Sequence, residues 1–347
     1  MSLLLPVLVV LLQSTATDCD LSSQRPLFEC DATLEFELEL PMNTLMRKAK
    51  SRPVLDGELH YVNAGGETMS LDVEVTTRGH SRLEGCTFPP LSIIFHPKKA
   101  KGTVFAGQKK IKFVTQCKGH TRYLKFLRQE YGIYKAFNLL VDVSFRVRML
   151  NVTFRDTEGK RRDEVRVAFL IESVKEVAER SGLQTVKQNR IASGQLDSRH
   201  AITYEVFQYM VANTDWSMLK GPGEEDCCHN GKVLAEPDSS TGWVVLPYDF
   251  DQAGLIGASY AQPDERLPIR SVRQRLFRGH CEYFDHLEDT IELFNRERAA
   301  IESALASGGI SEKTRRKQAD YIGNFYDIIN DPKKRKRYVD DKCRGAR

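Results

Sequence analysis

The sequence predicts an α+β protein with two lobes, a β-rich N-terminal lobe that contains one helix and a mostly helical C-terminal lobe. In residues 33–115, short runs of alternating apolar and polar side chains are separated by turn residues, which is typical of half-buried antiparallel strands. From residue 201 onward, apolar side chains mostly recur at helical spacing. Because the strands precede the helices and do not alternate with them, a doubly wound parallel sheet is not expected.

The individual elements follow from the same patterns. The first strand places Leu34, Phe36 and Leu38 on one face and glutamates on the other. The first long helix carries Glu130 within its apolar stripe, where a buried carboxylate needs a partner. The predicted strands are 33–40, 57–62, 70–76, 91–95, 110–115, 148–154 and 165–171, and the predicted helices are 122–140, 175–180, 202–212, 282–307 and 312–329. These elements place the β-rich lobe at 17–172 and the helical lobe at 173–347.

The N-terminus and the cysteines indicate export. Residues 3–12 form an uncharged apolar run that is too short to span a bilayer, and Ser14 and Ala16 supply the small residues of a cleavage site. Residues 1–16 are therefore predicted to be a signal peptide, and no later segment is apolar enough to cross a membrane. The chain contains 8 cysteines. An even number in an exported protein favours disulfides and a secreted or periplasmic location.

Charge and cysteine spacing restrict the partners further. The net charge of +4 is too small to indicate nucleic acid by itself, and the basic run at 333–337 is expected to be a solvated C-terminal tail. The adjacent Cys227 and Cys228 are expected to pair with different cysteines, because a bridge between neighbours strains the peptide. Together with His229 they could alternatively form a soft-metal site.

Residues 213–251 concentrate oxygen donors of the kind that hard cations prefer. Asp215, Asn230, Asp249 and Asp251 each lie at the end of a predicted regular segment, where a rigid scaffold can direct a side chain into a cleft. An acid, then an amide, then an acid after an apolar strand is the order found in phosphoryl-transfer enzymes of the protein-kinase type. The sequence therefore predicts binding of Mg²⁺ or Mn²⁺, with Asp215 available as a base.

Phosphoryl transfer also needs positive groups that orient the phosphates. Lys112 lies on the predicted strand before the long helix and could both pair with Glu130 and contact the phosphates. Arg78, Ser81 and Arg82 belong to an Arg-Gly-His-Ser-Arg turn, whose backbone N–H groups and guanidinium groups can bind phosphate. The structural alternatives are a solvent-facing lysine and an exposed basic hairpin.

Taken together, these motifs resemble the CotH family of secreted kinase-like proteins. The resemblance covers roughly residues 71–255 and is most specific at Tyr248-Asp249-Phe250-Asp251. It implies a two-lobed atypical protein-kinase-like fold that binds ATP with Mg²⁺ or Mn²⁺. It also implies that Lys112 and Glu130 form an ion pair.

The family pattern assigns further roles to individual residues. It implies that Asp215 is the catalytic acid, that Asn230 and Asp249 are metal ligands, and that Glu172 lies near the hinge that contacts the adenine. Asp251 stands where ordinary kinases have glycine and is assigned as an additional metal ligand. The spacing from Asp215 to Asn230 is wider than in ordinary protein kinases.

The resulting prediction is an exported atypical kinase that transfers the γ-phosphate of ATP to a protein or another hydroxyl-bearing acceptor. Two alternatives stay open. One is a nucleotide-binding envelope module without turnover. The other is a metal-dependent glycosyltransferase, since two acids separated by one residue after a strand can also hold a nucleotide-sugar diphosphate. The expected partners are a nucleotide and an unidentified acceptor, and nucleic acid is not expected.

Overall fold

Seven strands form a closed barrel in the N-terminal half of the chain. The structure is a computed structural model that describes residues 25–79, 81–223 and 227–345, and for Ser81 it describes the backbone only. The predicted signal peptide at 1–16 lies outside the described residues. The barrel strands are β1 Leu34–Leu40, β2 Val54–Val62, β3 Thr68–Thr77, β4 Leu91–Phe95, β5 Lys110–Thr115, β6 Val147–Asp156 and β7 Glu164–Ile171.

The order of strands around the barrel is β1-β2-β3-β4-β5-β7-β6, and β6 pairs again with β1. The pairs are antiparallel except β1 with β6, which run parallel with Leu38 opposite Phe154. Because alternate side chains of a strand point to the same face, the apolar half of each strand fills the interior. Aromatic rings meet there, with the ring centroids of Phe36 and Phe113 6.2 Å apart.

The expectation of a kinase-like two-lobed fold, with a β-sheet N-lobe and a helical C-lobe, is therefore wrong. The sheet closes because β1 is hydrogen-bonded on both edges, to β2 on one side and to β6 on the other. Alternation of apolar and polar residues identifies a strand but does not identify its neighbours. The seven strands themselves are confirmed, with ends shifted by a few residues.

Helices and a small second sheet make up most of the remaining regular structure. The sheet is antiparallel, in the order β10-β9-β8, so the C-terminal half is not purely helical. Its strands are β8 Gln184–Thr185, β9 Gly231–Ala235 and β10 Val244–Pro247. The α-helices of the described residues are α1 Met42–Arg47, α2 Ser81–Gly85, α3 Pro97–Ala100, α4 Thr121–Asn138, α5 Val174–Arg180, α6 Ser198–Val211, α7 Leu287–Arg296, α8 Arg298–Ala306, α9 Glu312–Ile329 and α10 Pro332–Tyr338.

Two C-terminal segments differ from their predictions. The single helix expected at 282–307 is divided into a 3₁₀ helix, Cys281–His286, followed by α7 and α8, which are separated at Glu297. The basic run expected as a solvated tail forms α10. The carboxylate of Asp331 accepts hydrogen bonds from the backbone N–H groups of Lys333 and Lys334, at 2.9 and 3.0 Å, and so caps that helix.

Buried apolar side chains form two clusters. One fills the barrel, and the other surrounds α4, α6 and the C-terminal helices. Helix α4 precedes residue 172 in the chain, yet its Phe137 packs on Phe207 of α6 with ring centroids 4.8 Å apart. The division at residue 172 stays a prediction. No helix within the described ranges has the length and apolar character needed to cross a membrane.

Disulfides join several described cysteines, as the even count predicts. Cys86 is bonded to Cys117, and Cys281 is bonded to Cys343. Cys30 is disulfide-bonded as well. No described cysteine is free.

Candidate functional site

A cleft lies where the barrel meets α4 and the segment that follows β10. Counting its open mouth, it encloses about 590 Å³. Strands β5 and β7 and helix α4 supply its walls, and the turn that follows β3 supplies its rim. The lining residues are Arg78, Gly79, Arg82, Pro90, Lys112, Val114, Glu130, Tyr134, Phe145, Ile171, Tyr248 and Asp249.

Five of the residues predicted for the site line this one cleft: Arg78, Arg82, Lys112, Glu130 and Asp249. They come from α2, β5, α4 and two connecting segments, and several of these are distant in the sequence. Close approach of these segments is therefore a property of the fold. The cleft brings together the groups expected to bind phosphate and one of the acids expected to bind metal.

Positive charge dominates one wall of the cleft. The Lys112 Nζ lies 5.3 Å from the centroid of the Tyr248 ring and 5.9 Å from that of Phe145. Lys232 of β9 lies over the same tyrosine at 5.5 Å. Burial, followed by repulsion from Arg78 and Lys232, lowers the pKa of Lys112 to about 8. A lysine in these surroundings gains from an anionic ligand that supplies the missing opposite charge.

The resemblance implies an ion pair between Lys112 and Glu130, but in the structure Glu130 pairs with Arg82. The Glu130 carboxylate, on α4, lies 3.7 Å from the Arg82 guanidinium, and both side chains are largely removed from solvent. Burial raises the pKa of Glu130, and the neighbouring Arg82 opposes that increase. Among the described residues, no carboxylate lies within 4.0 Å of the Lys112 ammonium, so this cation stays available to a ligand.

Asp249 and Asp251 follow β10 as a pair of closely spaced acids. Asp249 has a left-handed backbone, with φ of 61°, and its N–H donates to the Tyr134 hydroxyl at 2.9 Å. Asp251 is buried and hydrogen-bonded by Tyr260. Burial and the nearby Asp249 charge raise the pKa of Asp251. Asp249 thus lines the cleft, whereas Asp251 lines a neighbouring pocket together with Arg82 and Tyr260.

The arrangement does not form a ready-made metal site. Within the described ranges, no group of three or more His, Cys, Asp and Glu side chains is placed to hold a metal ion. The Asn230 amide, predicted as a ligand, donates to the Asp215 carboxylate at 2.9 Å and to its backbone carbonyl at 2.8 Å. Only the amide oxygen of Asn230 is left for a cation. Metal binding by Asp249, Asp251 and Asn230 stays a prediction.

Asp215 is the centre of a small polar group beside the cleft. One carboxylate oxygen lies 2.6 Å from His229 Nε2, and the other accepts from Asn230. The hydrogen bond to Asp215 raises the pKa of His229. The Asp215 side chain is 43% exposed, so an acceptor can approach it. Both of its oxygens nevertheless already accept hydrogen bonds.

Glu172 has a different environment from the one that the resemblance implies. Its buried carboxylate pairs with Arg180 at 2.9 Å and accepts from the Arg146 N–H at 3.1 Å. It does not line the cleft, although the preceding Ile171 does. Among the other predicted phosphate contacts, the side chain of Ser81 lies outside the described part of the chain, as does residue 80 of the same turn.

Cys227 and Cys228 are bonded to each other, which corrects the expectation of separate partners. Their Cα atoms lie 3.0 Å apart across a cis peptide bond. Because both sulfurs are in the disulfide, neither is a thiolate available for the soft-metal site considered with His229.

Several residues of the cleft were not identified from the sequence. The sequence indicates Tyr248 only as part of the Tyr-Asp-Phe-Asp motif, and it does not predict a role for Phe145, Tyr134 or Lys232. Lys232 follows Asn230 closely in the sequence, so a systematic search for cations near the predicted acids could have found it. The aromatic residues carry no comparable signal, because most such side chains belong to the core.

Comparison with known proteins adds no identification, since no protein-family model matches the chain and no curated protein matches it significantly. The CotH resemblance stays a prediction.

Proposed function

We propose that this protein binds a nucleoside triphosphate, ATP in the first instance, in the cleft and transfers its terminal phosphoryl group to a hydroxyl-bearing acceptor. The observation that supports it most directly is the composition of the cleft walls. Val114, Ile171 and Phe145 form an apolar part suited to a flat base. Arg78 and Lys112 form a cationic part suited to a polyphosphate. A closed barrel is no obstacle, because function depends on the site and not on the fold class.

In this proposal the position of each residue determines its role. Lys112 and Arg78 bind and orient the phosphates, while Glu130 and Arg82 hold each other beside them. As the acceptor oxygen bonds to the terminal phosphorus and the bond to the leaving diphosphate breaks, the acceptor proton passes to Asp215. This is chiefly catalysis by positioning and by charge stabilisation.

A second candidate is nucleotide binding without transfer. It is favoured by the Asp215 carboxylate, because His229 and Asn230 already occupy one oxygen each. Such a protein would respond to ATP with the same stabilisation but would release no ADP in the presence of an acceptor.

The disulfides support an exported location for either activity. Three bridges join described cysteines, and such bonds persist mainly in oxidising compartments. We therefore propose a secreted or periplasmic location.

Thermal unfolding with ATP, GTP and UDP-glucose, each with and without Mg²⁺ or Mn²⁺, tests the proposal. A ligand at about 100 times its Kd stabilises the folded state by about 2.7 kcal/mol. We expect ATP to raise the unfolding temperature and UDP-glucose to have little effect. Stabilisation by UDP-glucose alone would instead indicate a glycosyltransferase.

Transfer is measured separately, by ADP release and by labelling from γ-³²P-ATP, with autophosphorylation as the first acceptor reaction. ATP stabilisation without any transfer would favour the second candidate. No stabilisation by any nucleotide, with or without metal, would contradict both. A response that depends strictly on Mg²⁺ or Mn²⁺ would support the predicted metal ligands.

A further inference from the structure

A second cavity, separate from the cleft, lies between α9, α10 and the loop at 271–276. It is an open groove of about 1390 Å³ including its mouth. Four cationic side chains line it, Arg273, Arg275, Lys317 and Lys334, against one acid, Asp320. The groove therefore has a strong excess of positive charge that the proposed phosphotransferase reaction does not use.

Most of these cations have no opposite charge within reach. No described carboxylate lies within 4.0 Å of Arg273, Lys317 or Lys334, whereas Arg315 and Arg316 on the same helix share Glu312. The pKa of the nearby Lys125, on α4, is also affected by the excess of positive charge. Burial lowers the pKa of Lys125, and the charges of Arg273 and Lys317 lower it further. An anionic ligand would relieve this repulsion.

The remaining polar groups of the groove also present hydrogen-bond donors. The Asn324 amide oxygen accepts from Arg275 Nη1 at 3.0 Å. The Gln274 amide oxygen accepts from the N–H groups of Arg270 and Ser271, at 2.6 and 3.2 Å. With their oxygens occupied, both amides are left with NH₂ groups to offer. A wall of ammonium, guanidinium and amide donors fits a ligand that consists mainly of acceptors.

The aromatic side chains of the groove argue against a nucleic-acid ligand. Single-stranded nucleic acids bind by stacking bases on open aromatic faces. The Arg275 guanidinium covers one face of Tyr321 at 3.8 Å from the ring centroid, and the Tyr321 hydroxyl donates to the Arg273 carbonyl at 2.8 Å. The ring is thus held within the wall and is not presented for stacking.

We propose that this groove binds an acidic peptide segment of a partner protein. Carboxylates of the peptide pair with Arg273, Lys317 and Lys334, and its backbone carbonyls accept from the amides of Gln274 and Asn324. A peptide satisfies both sets of donors at once, because its carboxylates and carbonyls alternate along one chain. The inference is independent of nucleotide binding in the cleft.

The test is fluorescence anisotropy on the full chain with a labelled peptide of alternating glutamate and serine, at low and at physiological salt. The wild-type protein is expected to bind the peptide, and more weakly as salt increases. The double variant Arg273→Glu/Lys317→Glu should bind roughly tenfold more weakly or worse, because it replaces two attractive charges by repulsive ones.

A matched control is Lys98→Glu/Lys110→Glu, which makes the same change in net charge at two exposed positions, one on α3 and one on β5. It should retain affinity within about twofold, since its charges lie outside the groove. If the Arg273/Lys317 variant does not fold, the single exposed variant Lys334→Glu decides the matter. Absence of peptide binding would overturn the proposal, as would an equal loss in the control. Tighter binding of heparin, single-stranded DNA or phosphatidylserine vesicles than of the peptide would overturn it too.

Discussion

Replacement of Lys112 by methionine should stabilise the ligand-free protein while removing its response to ATP. The lysine is half-buried, and its pKa falls from 10.5 to about 8. At about 1.36 kcal/mol for each pKa unit, this change sets an upper limit of roughly 3 kcal/mol on the cost of keeping the charge there below pH 8. Since solvent reaches part of the side chain, we expect about 1–2 kcal/mol of added stability in Lys112→Met at pH 7.

The pH dependence of the folding stability has a defined sign. Between pH 8 and 10.5, the unfolded chain holds a proton on Lys112 that the folded chain has lost, so the stability of the wild-type protein should rise with pH across this window. The methionine variant lacks this contribution. The affinity for ATP should instead fall as the pH rises, because the neutral amine of Lys112 attracts phosphate less than the ammonium does. Binding of ATP near pH 8 should therefore take up a proton.

A charge-assisted contact with phosphate contributes about 1.5–3 kcal/mol, so Lys112→Met should weaken ATP binding by roughly 10- to 100-fold. Calorimetry in two buffers of different ionisation enthalpy measures the affinity and the proton uptake together. Lys110→Met, on the same strand but exposed, is the control and should change neither quantity. A less stable ligand-free Lys112→Met protein, or one with unchanged ATP affinity, would refute the role assigned to this lysine.

Three other outcomes can be measured directly. Arg82→Leu should cost about 3–5 kcal/mol of unfolding free energy, because it leaves Glu130 buried without its partner. The double variant Arg82→Leu/Glu130→Leu should recover much of that loss, and denaturant titration of the two variants measures the difference. Asp215→Ala should reduce phosphoryl transfer roughly 10²- to 10⁴-fold while leaving ATP affinity near the wild-type value, and normal turnover would exclude Asp215 as the base. Replacing Cys281 and Cys343 by serine should cost about 2–5 kcal/mol, and an unchanged unfolding temperature would show that this bridge contributes little.

The sequence predicts the strands well because their information is local. Alternation places Leu34, Phe36 and Leu38 on one face of β1 whatever its neighbours are, and the structure buries all three. The parallel pairing of β1 with β6 has no local pattern, because it depends on how distant segments meet. The fold class was therefore wrong although its strands were right.

The candidate site is likewise predictable only in part. Residue type indicated that Lys112, Glu130 and Asp249 would lie close together, and they line one cleft. Which cation pairs with Glu130 depends on a few ångströms of packing between α2 and α4, which no spacing rule supplies. Glu172 illustrates the same limit, because its partner Arg180 is brought to it by α5, a helix with its own capping box at Ser173.

While the ribosome is making the chain, the barrel cannot close until β7, which joins β5 to β6, has been made. The parallel partner of β1, the strand β6, is also made late. Roughly a hundred residues separate the two strands, which corresponds to about 5–20 s of synthesis. During that interval β1 can pair with β2, but its other edge has no partner, and unpaired edges invite pairing with other chains. A nascent or truncated chain that ends after β5 thus has two open strand edges, and we expect it to aggregate through them and not to settle into a smaller barrel.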